Sequence, residues 1–523
     1  MTRRNTPAVL SLALALGLGA CAAPGAGTVP MAAPSTAPAS PLAAAVATIT
    51  PADMYARIEF LAGDAMRGRD TPSPELEITA NYLVQQYKLL GLEPAGENGT
   101  FVQRWPFPLR QGDAAGTRMV IAGPGGTQTL QLGRDFFATG GTAAELDAGL
   151  VFVGRVTDSI MGPGTLRERI AVTALPGTNT RDFRLERNRQ ANAAQRAGAS
   201  AIVYVLDPSW TADSIARYAR EAGQPARTLG GATAFPRFFV SQAAARRVFT
   251  AAGLSLDELW AQDAAARPVP LPGVSARAGA PQQDMDRATA PNVVAVLRGS
   301  DRVLRDEYII VSAHMDHVGV GTPVNGDSIY NGADDDASGT AALLEIAEAM
   351  ASLPEPPRRS VVFLHVSGEE KGLLGSRWYS DNPTLPLERI VANINIDMIA
   401  RNAPDTVVVI GKDYSTMGQT VNAVGARHPE LGLVVSDDIW PEERFFFRSD
   451  HFNFARKEIP ALFFFTGVHE DYHRPSDTVE RIDAGKAARV TRLVFYTLHD
   501  LANADARPRW DPAGLEEVRA LTR

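Results

Sequence analysis

Histidines and carboxylates recur along this chain in places where a divalent cation could use them. His314-Met315-Asp316 closes an apolar run, Tyr308 to Ala313, that has the length and branching of a buried strand. Side chains alternate along a strand, so His314 and Asp316 face one side, a metal ligand with a carboxylate to orient it. Asp334, Asp335 and Asp336 follow in a loop ahead of a helical run, Thr340 to Met350. Three adjoining carboxylates repel one another unless a cation or hydrogen-bond donors balance them. Further on come Glu369-Glu370, Asp397 and Tyr472-His473. Taken singly each has an ordinary alternative: a structural histidine, a solvated turn, a helix start, an exposed loop.

The elements around them change that balance. From Asn292 the chain alternates strand and helix patterns, with strands at Val293–Leu297, Tyr308–Ala313, Ser360–Val366, Ile390–Ile396, Thr406–Ile410 and Ala461–Phe465. Helical patterns lie between them, and a closing helix runs from Ala484 to Leu501. This predicts an α/β fold with a mainly parallel central sheet flanked by helices, whose sites lie outside the carboxyl ends of the strands. Every candidate falls at such a strand end or in the loop after it. Two histidines, several carboxylates and no thiol suit zinc or a similar divalent ion. There are too many donors for one tetrahedral ion, and a shared carboxylate would place two ions about 3.5–4 Å apart, an arrangement suited to hydrolysis.

Taken as an ordered set, His314-x-Asp316, the GADDDASG run at 332–339, SGEEKGLLGS at 367–376, NIDM at 395–398 and DYHRPSDT at 471–478 resemble the co-catalytic di-zinc exopeptidases. That family includes secreted bacterial leucyl aminopeptidases, glutamate carboxypeptidase and, more distantly, glutaminyl cyclases. The resemblance spans Pro51 to about Asn503. It implies two Zn2+ ions, with Asp335 bridging, His314 and Asp397 on one ion, and Glu370 and His473 on the other. It further implies Glu369 as general base, Asp316 as the residue that holds His314, and a hydrogen bond from Tyr472 to the developing oxyanion, an ordinary packed tyrosine being the alternative. His317 and His451 receive no chemistry. The expected activity is removal of amino-terminal residues from peptides. A carboxypeptidase, with Arg448 meeting a substrate carboxylate, a cyclase on the same scaffold and a metal-free receptor are the alternatives.

Length and composition bound the remainder. At 523 residues, two folded units with appendages are expected. A net charge of -8 with scattered Lys and Arg argues against a nucleic-acid partner. Cys21, the single cysteine, rules out an intramolecular disulfide. Arg3 and Arg4, an apolar run from Ala8 to Leu18 and then Leu18-Gly19-Ala20-Cys21 resemble a bacterial lipoprotein signal, residues 1–20, with a lipid anchor on Cys21. Ala22 after the cysteine favours the outer membrane of the cell envelope. Residues 21–50 read as a flexible tether. Residues 51–139 and 282–503 read as the catalytic domain. Residues 140–281 read as a small α+β insert resembling a protease-associated domain, with a Pro-, Ala- and Gly-rich linker from Pro268 to Pro281. Residues 504–523 read as a tail.

Overall fold

The computed structural model describes residues 40–154, 162–175, 177, 181–229, 235–261 and 268–522. The expected signal segment and Cys21 lie outside them. The main sheet runs, in spatial order, through Glu93–Pro94, Thr289–Leu297, Ser360–Val366, Tyr308–His314, Ile390–Ile396, Ala461–Phe465, Thr406–Ile410 and Val434–Ser436, with Val102–Pro106 also paired to Thr289–Leu297. Its four central strands are parallel, and antiparallel pairs extend it on either side. The central strands are apolar at nearly every position because helices cover both faces.

On one face the helices Gly339–Ala351 and Ala484–Asn503 pack with Pro51–Leu61 and Pro74–Leu89 into the largest apolar core. The starts of the last two are written locally. Thr50 and Ser73 each accept an N–H from the first turn, and proline occupies the start of each helix. The opposite face is closed by a smaller cluster that includes Tyr379 and Phe454.

A second, eight-stranded sheet is built from Arg118–Gly123, Gly126–Leu130, Phe136–Thr139, Leu146–Gly154, Ile170–Leu175, Ala201–Leu206, Arg237–Val240 and Val269–Gly279. It has its own apolar clusters on its two faces. A three-stranded sheet of Leu109–Gly112, Ala226–Arg227 and Gln282–Asp284 stands where the chain leaves and re-enters it.

Four segments differ from the sequence expectation. The inserted unit begins near residue 113 rather than 140, because Arg118–Gly123 pairs with Val269–Gly279 and the two strands must belong to one sheet. The expected linker from Pro268 is therefore mostly strand, its prolines tolerated beside a shift in register between Pro270 and Ser275. The expected tether ends early. Pro41–Ala47 is helical, and Ala45, Val46 and Ile49 join the main core. The expected tail carries a helix, Pro512–Thr522, whose Val518 is buried with Phe445 and Phe446. The tether's lack of charge and the linker's prolines read as loop from sequence, whereas pairing or apolar contact with distant segments decided each case. Among the described residues no helix is long and apolar enough to cross a membrane.

Candidate metal centre

Four parallel strands deliver their ends to one rim. His314 is the last residue of its strand, Asp397 follows Ile396, Glu369 and Glu370 follow Val366 across Ser367-Gly368, and His473 lies in the segment after Phe465. Five side chains remote in sequence thereby converge. His314 Nε2 lies 3.2 Å from Asp335 Oδ1 and 3.6 Å from Asp397 Oδ1. His473 Nε2 lies 3.1 Å from Asp335 Oδ2 and 3.0 Å from Glu370 Oε2. The two oxygens of Asp335 thus face two different donor sets, as a bridging carboxylate must.

The acidic triplet divides its labour. Asp334 Oδ1 accepts the amide of Ala400 at 2.7 Å, and Asp336 accepts the amides of Gly339 at 2.8 Å and Met398 and His314 at 3.2 Å. These two tie the turn to neighbouring loops, leaving Asp335 aimed into the rim. Asp477, in the same segment as His473, accepts the amides of Asp334 and Asp335 and so links the two ligand loops. Its spacing from His473 carries no periodic signal, and sequence reasoning passed over it.

Asp397 is held through the sheet. Ser449 Oγ donates to its Oδ2 at 2.7 Å and itself accepts from Asn395 Nδ2 at 2.8 Å; Ser312 Oγ donates to Asn395 Oδ1 at 2.7 Å. Asn395 and Asp397 are two residues apart on one strand, and Ser312 and His314 two apart on its neighbour, so alternation places this polar row on a single face.

Asp316 meets His314 more closely through its backbone than through its carboxylate. His314 Nδ1 meets the backbone oxygen of Asp316 at 3.1 Å, while the carboxylate is 3.7 Å away. A Nδ1–H donated to that carbonyl leaves the Nε2 lone pair for an ion. The carboxylate instead accepts from Thr71 Oγ1 and from the amide of Gly368.

Arg69, also unremarked in the sequence, is buried and donates to the backbone oxygens of Met315, Asn331 and Gly332. It pins the loops on both sides of the site. Burial drives its pKa down to about 10 despite the facing aspartates.

The electrostatics are those of a cluster short of positive charge. Burial pushes the Glu369 carboxyl well up; His314 opposes, and the carboxylates of Glu370, Asp450 and Asp397 add to the rise. Burial and Asp335 would raise Glu370, yet His317 and His473 hold it at about 2. Burial works against the charged form of His473, but Asp335 and Glu370 lift it to about 10. Burial would likewise favour neutral Asp335, yet the surrounding histidines hold it well below the usual range. Protons here do what cations would do better, which is the fit expected for divalent ions: one donor from each of His314, Asp335 and Asp397 lies within 4.8 Å of the others, and the same holds for His317, Asp335 and Glu370. His317, assigned no chemistry from sequence, therefore stands in the site. His451 does not; it is buried between Phe446 and Phe463.

Beside the cluster opens a shallow recess lined by Glu369, Phe445, Phe463, Phe465, Arg448 and Tyr472 among others. Tyr472 stacks on the His473 ring at 3.8 Å, and burial pushes its phenol far above the ordinary range. Arg448 pairs with Glu443 at 3.1 Å and lies over the Phe445 ring.

Residues 292–498 match the family model described as Peptidase family M28. That segment resembles peptidase family M28. The matched segment holds every candidate ligand named above, from His314 to His473. Among characterised sequences the chain is similar to a probable zinc metalloprotease of Pyrenophora tritici-repentis, 26% identical over 262 residues, covering 42% of this chain and 53% of that protein. It is also similar to leucine aminopeptidase 2 of Trichophyton rubrum, 27% identical over 243 residues, covering 42% of this chain and 46% of that one. The chain spans about half the length of the curated relatives it matches. A solved zinc aminopeptidase from Bacillus subtilis aligns over 86% of this chain and 95% of its own at 18% identity, with a TM-score of 0.45.

Proposed function

We propose that this protein is a zinc-dependent exopeptidase that hydrolyses the amino-terminal peptide bond of peptides. The observation that carries the reading is Asp335, whose two oxygens each face a separate set of donors. His314, Asp335 and Asp397 would hold one ion, and Asp335, Glu370 and His473 the other. Two divalent ions bound there supply Lewis-acid polarisation of the scissile carbonyl and lower the pKa of the attacking water.

The chain's own residues supply the remainder. Glu369 is attached to no donor set and lines the recess. Its carboxylate takes a proton from water as the oxygen attacks the carbonyl carbon, then passes that proton to the departing amine, so no bond to the enzyme forms. The Tyr472 phenol, which lines the same recess, would donate to the oxygen that gains charge. The phenylalanines that wall the recess, Phe445, Phe463 and Phe465, favour an apolar first side chain.

The comparison that tests this is hydrolysis of peptides with free and with acetylated amino termini, alongside metal analysis of the purified protein. Cleavage of the free series only, abolished by chelator and restored by Zn2+, is expected. Preference for the blocked series would instead favour a carboxypeptidase, the reading to which Arg448 at the recess lends support. Attachment to the cell envelope through a lipid on Cys21 belongs to the same proposal, supported by the sequence around that cysteine.

A further inference from the structure

We infer that His317 is an additional ligand of the ion held by Glu370 and His473, a role that rests on the two-ion reading above. The imidazole is fully buried, its Nε2 has no hydrogen-bond partner, and its Nδ1 has only carboxylate oxygens beside it. An unpartnered buried polar side chain costs free energy that something must offset. Nδ1 lies 2.8 Å from Glu370 Oε1, itself without a hydrogen-bond partner, and 3.7 Å from Asp335 Oδ2. These are the separations between donors that share one small cation, and the ring meets that of His473 edge-on at 5.6 Å between centroids.

The fold takes trouble to hold the ring there. Its backbone pairs beside Asp70, in the segment that buried Arg69 anchors. Gly332 packs on it so closely that a Cβ would stand 2.5 Å from the His317 Cγ, and that glycine has a left-handed φ of 63°. Four protein donors, His317, Asp335, Glu370 and His473, would fill a tetrahedral zinc, whereas His314, Asp335 and Asp397 leave the other ion a position open to substrate. The two histidines also differ in security: His473 is 37% exposed on a loop, His317 not at all. The ion would therefore keep three buried donors even when His473 moves.

The alternative is that His317 merely donates a hydrogen bond to Glu370. Magnitude separates the two, since losing an outer hydrogen-bond partner weakens metal binding by about 10–100-fold. The full-length protein, stripped with chelator, is titrated with Zn2+ against a chromophoric competitor, and bound metal is counted by elemental analysis. Wild type is expected to bind two ions and His317→Ala to retain one, the second weakened beyond about 100-fold. His317→Asn, which can still donate to Glu370, is expected to behave like His317→Ala. Two ions of unchanged affinity in His317→Ala, or recovery in His317→Asn, would overturn the inference while leaving the two-ion reading intact. X-ray absorption on the zinc-loaded wild type needs no variant to fold: three imidazoles shared by two ions are expected, and two would refute the assignment. A wild type that binds no zinc would sink the two-ion reading, and this inference with it.

Discussion

Asp316 grips the amide of Gly368 at 2.7 Å, and so reaches the loop of the proposed base rather than the imidazole of His314. The same carboxylate accepts from Thr71, whose hydroxyl also stands 3.0 Å from the Gly368 amide. One buried carboxylate therefore binds the strand end that carries His314 to the turn that presents Glu369.

From this follows a split between turnover and metal. Asp316→Ala is expected to lower kcat by about 10–100-fold in metal-saturated enzyme, the cost typical of a lost outer partner. Asp316→Asn, which keeps an acceptor oxygen, should recover part of it. Weakened zinc with normal kcat at saturation would instead assign Asp316 to His314.

Glu369 holds no ion in this arrangement, so Glu369→Ala should bind zinc like wild type and lose about 10²–10⁴-fold in kcat. Isothermal titration and steady-state kinetics on one preparation check both halves. Normal turnover would mean that another group moves the proton.

Asp335 serves both donor sets, whereas His314 serves one. Asp335→Ala is expected to lose both ions and His314→Ala only one, read by elemental analysis after dialysis. Equal stoichiometry in the two variants would break the bridging assignment.

Acid stability should report two buried histidines away from the ligands. Burial drives both His365 and His451 down to about 3, below their ordinary value near 6.5. In the unfolded chain each takes a proton below pH 6.5, while in the folded chain it stays neutral until about pH 3. Stability is therefore complete above pH 6.5 and lost as pH falls through that window, by up to about 1.4 kcal/mol per unit for each histidine. Thermal melts of chelator-treated protein between pH 7 and 4 would show it, and His365→Gln should flatten the slope. An unchanged slope would show that carboxylates alone govern acid unfolding.

Arg69→Met should destabilise the fold by more than about 3 kcal/mol, since it strands several buried carbonyls at about 1–3 kcal/mol each. Thermal denaturation reads the loss. A melt within a degree or two of wild type would mean that those carbonyls find water.

Much of the site was legible without coordinates because its chemistry is carried by residue type and by position at strand ends. The runs ending at His314, Val366, Ile396 and Phe465 are apolar enough to be parallel strands, and a parallel sheet exposes its ligand-bearing loops on one rim. The family resemblance singled out Asp335 within its triplet, and only the structure showed Asp334 and Asp336 spent on backbone amides.

The remainder lay in relations that no local pattern encodes. His317 sits three residues after a ligand, and whether it faces the site depends on a bridge to Asp70 and on close packing by Gly332. Arg69 lies in a loop with the composition of a surface turn, yet left-handed backbone at residues 67–69 folds it inward to meet carbonyls some 250 positions away. The helices at 41–47 and 512–522 read as tether and tail because one is alanine-rich beside a proline-rich stretch and the other is short and charged, and contact with the helix Gly339–Ala351 and with Phe445 and Phe446 buries them. Residue type and periodicity thus determined which chemistry is present and on which edge of the sheet it gathers. Tertiary structure alone decided which buried donors point at one another, because that depends on the path of chain segments far apart in sequence.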